Sequence, residues 1–169
     1  AVIGIQIRFH DDVMIGRRAC DSAENMDFAR QYLDCGQQLQ AQLHKHHNVT
    51  AKLFLITNCM PVKVAWVADM GNGIITDNSF RPRHTLRLHD DETQELRNTI
   101  SDMWQYGLCD LFVRAEGSQF GKTGALLSLS LYSTWLLQSW DPKPRPEAPK
   151  CTLDNYTPFS VLATQHVDY

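Results

Sequence analysis

The sequence is short of the features that mark several common protein classes. It has no apolar run near the roughly 20 residues that a helical membrane span needs. It has little excess of either charge: 16 Lys and Arg stand against 19 Asp and Glu, a net charge of −3. A balance of that size recruits neither nucleic acid nor an anionic membrane. There is no C-x-x-C pair and no G-x-S-x-G elbow, so nothing supports a zinc site or a serine hydrolase. No segment repeats. Hydrophobic residues at 43% and charged ones at 21% suit an ordinary globular domain, and 169 residues can bury a core. The chain opens at Ala1 inside strand-like sequence, without an initiator Met or a leader peptide, and is expected to be a processed product or a piece of something longer.

Five Cys cannot all pair among themselves. Cys35, Cys59 and Cys109 lie in or beside apolar segments and are expected to be buried free thiols. Cys20 and Cys151 lie in loop-like sequence and are the better disulfide candidates. Two acceptor sequons, Asn48-Val49-Thr50 and Asn155-Tyr156-Thr157, lean with the cysteines toward a secretory lumen.

Strand and helix signals alternate. Residues 1–9 (AVIGIQIRF) read as a strand covered on both faces. Residues 22–47 have helical spacing behind a Ser22 cap, with Met26, Ala29, Leu33, Leu39 and Leu43 on one side. Residues 52–58 form a second strand, Pro61 opens a helix to about Met70, and residues 73–77 form a short third strand. A basic loop with Arg81, Arg83 and Arg87 leads to a helix over 92–106, expected to turn Leu96, Ile100, Met103 and Trp104 to the core. Residues 109–114 make a fourth strand. A small-residue turn over 117–124 then opens an apolar helix from Ala125 to about Tyr132. The pattern predicts an α/β fold, a Rossmann-like parallel sheet flanked by helices, over residues 1–140. Residues 141–169 are expected to be a Pro-rich extended segment and a polar tail.

Ligands of such sheets bind at the carboxyl ends of the strands. Arg8 ends the first strand, where its guanidinium either forks onto phosphate oxygens or pairs with Asp11 or Asp12. The turn Ser118-Gln119-Phe120-Gly121-Lys122-Thr123 opens a helix, and a helix N-terminus favours an anion. The same turn nearly spells a P-loop, but Glu116 stands where that motif needs its first glycine. His44, His46 and His47 cluster at a helix end and read as solvated rather than as a metal site.

These residues suggest a family. Gly4-Ile5-Gln6-Ile7-Arg8 resembles the arginine motif of plant-type xyloglucan α-1,2-fucosyltransferases. Asp102-Met103-Trp104, Cys109-Asp110-Leu111-Phe112-Val113 and Ser118-Gln119-Phe120-Gly121 follow in the order that family keeps. Ile75-Thr76-Asp77-Asn78-Ser79 resembles a loop of the core fucosyltransferases. The resemblance covers roughly residues 1–130. It implies the C-terminal, donor-binding lobe of a GT-B-like glycosyltransferase that uses GDP-fucose, inverts, and needs no metal. It further implies that Arg8 is the catalytic group on the diphosphate. Ser118, Gln119, Phe120, Gly121, Lys122 and Thr123 would cradle phosphate, with Asp77, Asn78 and Asp102 toward guanosine or the adjoining turn. Phe9 departs from the pattern, standing where some relatives keep a second Arg, and Lys122 replaces an aromatic or aliphatic residue. The implied setting is the Golgi lumen, with a glycan acceptor and another chain or a missing N-terminal lobe as partners. The alternative is a catalytically silent domain of the same build that serves as a binding or structural subunit.

Overall fold

The computed structural model describes residues 1–9, 19–76, 92–116, 118–128, 134–137 and 150–156. β1 (Val2–Ile7) leads to α1 (Ala23–His47), β2 (Lys52–Thr57), α2 (Met60–Met70), a 3-10 turn (Gly71–Gly73) and β3 (Ile74–Ile75). Then come α3 (Glu92–Gly107), β4 (Leu111–Ala115), α4 (Gln119–Leu127) and β5 (Thr134–Leu137). The strands form one parallel sheet in the order β3-β2-β1-β4-β5. This is a Rossmann-like α/β domain, as the alternation of strand and helix signals predicts.

Strand β1 is central and divides the core by residue parity. Ile3, Ile5 and Ile7 meet Phe28, Leu33 and Leu39 of α1 and Val62 and Trp66 of α2 in one cluster. On the other face Phe54, Ile56, Phe112 and Cys109 gather with Tyr106 of α3 and Ala125 of α4. The rungs Ile3↔Leu53 and Ile3↔Leu111 fix β1 against both neighbours. At α1 the Ser22 side chain caps as expected, accepting from the Asn25 N–H at 3.3 Å.

Four expectations are corrected. Cys35 and Cys59 are buried but not free: the bridges are Cys20–Cys59 and Cys35–Cys151, leaving Cys109 as the free buried thiol. An apolar neighbourhood reports burial and says nothing of a second sulfur arriving from a distant segment. Second, α3 does not turn Leu96, Ile100 and Trp104 inward; they are 52%, 50% and 60% exposed. Its inner face carries Asp102 and Tyr106 instead. Tyr106 sets this rotation, because its ring fills the space above Gly4, touches Phe112 edge-on at 5.1 Å, and its hydroxyl donates to the Val113 carbonyl. Third, the fourth helix begins at Gln119, not Ala125. Fourth, β5 is a strand the sequence reading lacked; its TWLL runs on from an apolar helix, and period alone does not separate the two. Pro142, Pro144 and Pro146 lie outside the described residues.

Candidate functional site

The sheet order reverses direction between β1 and β4, which makes the carboxyl ends of these two strands the switch point. The last rung between them is Gln6↔Arg114, and Arg8 and Glu116 follow directly after the ends of β1 and β4. Arg8 is exposed there. From β4 the chain turns through Ser118 into α4. Arg8 and the start of α4, far apart in sequence, thus follow two adjacent strands at the same end of the sheet.

The start of α4 is built by its cap. The Ser118 hydroxyl accepts from the Gly121 N–H at 3.3 Å, and the Ser118 carbonyl accepts from the Lys122 N–H at 2.9 Å. Ser118 itself is buried. The Gln119 and Phe120 N–H groups, in the first turn, have no carbonyl of their own helix to bond, which concentrates positive partial charge at this end. Gln119 and Thr123 are exposed one turn apart, Lys122 is half-buried, and Phe120 packs against the Tyr106 cluster. Two glycines of the expected small-residue turn instead let α4 lie close to the sheet and to α3. A Cβ on Gly121 would stand 2.6 Å from the Gln6 Oε1, and one on Gly124 would stand 2.8 Å from the Tyr106 ring. A helix already running at Gln119 leaves no loop between Glu116 and Gly121 of the length a P-loop cradle requires.

Phe9 has a structural explanation. Parity sends its side chain to the face opposite Arg8, where it is 1% exposed and meets Phe28 edge-on at 5.6 Å. Its N–H donates to the Asn58 side chain, joining the ends of β1 and β2. An arginine at this position would bury its charge among Phe28 and Tyr32.

Asp102 is buried in the second-last turn of α3, at the contact with α4 where the Met103 carbonyl faces Gly124. Asp77 and Asn78 lie outside the described residues, as do Asp11, Asp12 and the basic loop. His44, His46 and His47 are exposed in the last turn of α1. Among the described residues no group of three or more His, Cys, Asp or Glu could hold a metal ion.

Sequence reasoning passed over a buried polar layer beneath α4. Gln6 and Arg114, rung partners on β1 and β4, are 4% and 1% exposed. The Arg114 guanidinium donates to the Ala115 carbonyl at 3.2 Å, and burial lowers its pKa, opposed by Tyr106 and Glu116. Lys63 of α2 is a second buried cation. The available signal was a charge at the inner end of an apolar strand, LFVRA, like the one that singled out Arg8.

No family model and no curated protein matches the chain. Among solved structures it is similar to NodZ alpha-1,6-fucosyltransferase co-crystallized with GDP, at 16% identity and a TM-score of 0.42. The similarity covers 76% of this chain and 36% of that one, so the chain spans about a third of that enzyme's length.

Proposed function

We infer that the chain is the nucleotide-sugar-binding lobe of a fucosyltransferase-like glycosyltransferase. One observation carries this reading: Arg8 and the capped N-terminus of α4 stand on the two strands that flank the switch point. That pairing suits a diphosphate. Arg8 would fork onto two phosphate oxygens while the Gln119 and Phe120 N–H groups, with Lys122 nearby, take the others. These groups would neutralise charge on the departing GDP without a divalent cation. GDP-fucose as donor, inversion, and the assignment of Asp77, Asn78 and Asp102 toward guanosine rest on the motif resemblance. Two disulfides support a luminal, oxidising compartment, read here as the Golgi.

Transfer requires donor and acceptor held in line, and the acceptor glycan would bind a further lobe or chain. The isolated chain is therefore expected to bind GDP and transfer no fucose. A second reading, a catalytically silent binding subunit, draws on Phe9, which places no second cation beside Arg8. Thermal unfolding with GDP, with ATP and magnesium, and with neither separates the readings. On the donor-lobe reading, GDP at 100 times its Kd stabilises the fold by about 2.7 kcal/mol, and EDTA leaves the shift intact. No response to GDP would sink it. A response to ATP that needs magnesium would point to P-loop chemistry instead.

A further inference from the structure

We propose that Asn48 is an N-glycan attachment site and that Asn155, the second sequon, is a structural asparagine that carries none. The inference shares only the luminal compartment with the reading above and is independent of the nucleotide.

The two amides have opposite surroundings. Asn48 closes α1 in the left-handed region, at φ 52° and ψ 35°. Asparagine tolerates that conformation better than most residues. The turn satisfies itself through the backbone: the Asn48 N–H donates to the His44 carbonyl and the Val49 N–H to the Leu43 carbonyl. Among the described residues no hydrogen bond engages the Asn48 side chain, and Asn48 and Thr50 are both exposed. The amide nitrogen and the sequon hydroxyl are therefore open to solvent together.

The Asn155 amide is committed. Its oxygen accepts from the Trp135 indole N–H at 2.9 Å and from the Thr152 N–H at 2.7 Å. Its nitrogen donates to the Lys150 carbonyl at 2.6 Å. These bonds close the turn that follows Cys151 and seat it on β5. A sugar on that nitrogen would replace one of its two hydrogens and crowd the tight turn that the Lys150 carbonyl, the Thr152 N–H and the Trp135 indole close around the amide. A chain modified at Asn155 has to fold around this conflict, and one modified at Asn48 does not.

The position of Asn48 suits a permanent attachment. It lies just before β2, where the Ala1 ammonium donates to the Thr50 carbonyl, and so at the amino edge of the sheet. Arg8 and Ser118 lie on the carboxyl edge, roughly 20 Å away at ~3.3 Å per residue of β1. In the attachment step the Asn48 amide nitrogen bonds to the anomeric carbon of a lipid-diphosphate-linked oligosaccharide. The bond from that carbon to the phosphate oxygen breaks, the lipid diphosphate leaves with the electron pair, and the amide gives up one proton.

The test is secretion of the full chain, behind a cleavable leader, from a eukaryotic host. Peptide-N-glycosidase treatment in heavy-oxygen water marks each formerly occupied Asn as labelled Asp. Label is expected at Asn48 and not at Asn155. Thr50→Ala should abolish it, and Thr157→Ala should change nothing. Label at Asn155, or a bare Asn48, overturns the proposal. The same digest reads the bridges on which the luminal reading rests: linked Cys20–Cys59 and Cys35–Cys151 peptides with a bare Asn48 would end this inference and leave the luminal reading standing. Absence of both links and label would end the two together.

Discussion

At the scale of single residues, parity on β1 sorts neighbours into unrelated tasks. Arg8 meets solvent at the switch point, and Phe9 one step on is core. Arg8→Lys keeps the charge and loses the fork, and titration calorimetry should show GDP binding weakened by about 1–3 kcal/mol. Unchanged affinity in Arg8→Ala would remove the site assignment. Cys109 gives a pH prediction. Burial, with a smaller contribution from Asp110, pushes its thiol from 9.0 up to about 12. Between those values the folded thiol keeps a proton that the unfolded one has released, so the folded state binds more protons and stability falls as pH rises. The loss per group is about 1.4 kcal/mol per pH unit. Tyr106, also raised by burial, adds to the loss further into alkali. Urea midpoints should therefore fall more steeply above pH 9 in the parent than in Cys109→Ala. Parallel slopes would contradict the assignment. Arg8 was legible because a charge interrupts an apolar run. Gln6 and Arg114 interrupt theirs in the same way, but their meeting under Gly121 depends on strand order, which no local pattern carries.

At the scale of elements, period decided well where helix and strand signals stayed apart. Helix α1, from the Ser22 cap to His47, and strands β1 and β2 follow their sequence patterns closely. Strand β5 was lost in continuous apolar sequence, and α4 started early because its glycines are packing residues and not turn residues. Helix α3 is the instructive case. Leu96, Ile100 and Trp104 repeat every fourth residue, and Leu108, 70% exposed, continues the stripe just past the helix, yet the anchored Tyr106 holds it outward. Trp104→Gln should accordingly change unfolding free energy by no more than about 0.5 kcal/mol, as surface substitutions do. A core tryptophan would cost about 3–5 kcal/mol on truncation, so a loss of that size would restore the original orientation. Gly124→Ala belongs to the same contact. The new methyl meets the Tyr106 ring and the Met103 carbonyl, neither of which can swing away, and a cost of about 1–3 kcal/mol should appear in denaturant melts.

At the scale of the whole molecule, two crosslinks tie segments that the sheet alone leaves apart. Cys20–Cys59 joins the approach to α1 with the cap of α2, and Cys35–Cys151 joins α1 to the last described segment, with sequence separations of 39 and 116. Chain entropy assigns loops of these lengths about 4 and 5 kcal/mol. Cys35→Ser with Cys151→Ser should lower the denaturant midpoint, with a loss of about 2–5 kcal/mol expected in practice. Glutamines on α1 reinforce the second tie, since Gln38 and Gln42 bond the backbone of Cys151 and Leu153 as a neighbouring strand would. This attachment also sets a timetable for the growing chain. Cys20 and Cys59 emerge close together and can close early, whereas Cys35 lies between them and must stay a thiol until Cys151 is made. For that interval Cys35 competes for either early partner, and either wrong bond would strand the other cysteine. Helix α1 is thus completed by a segment made 116 residues after Cys35, and the yield of correctly bridged chain should depend on disulfide isomerisation more than on the formation of the sheet.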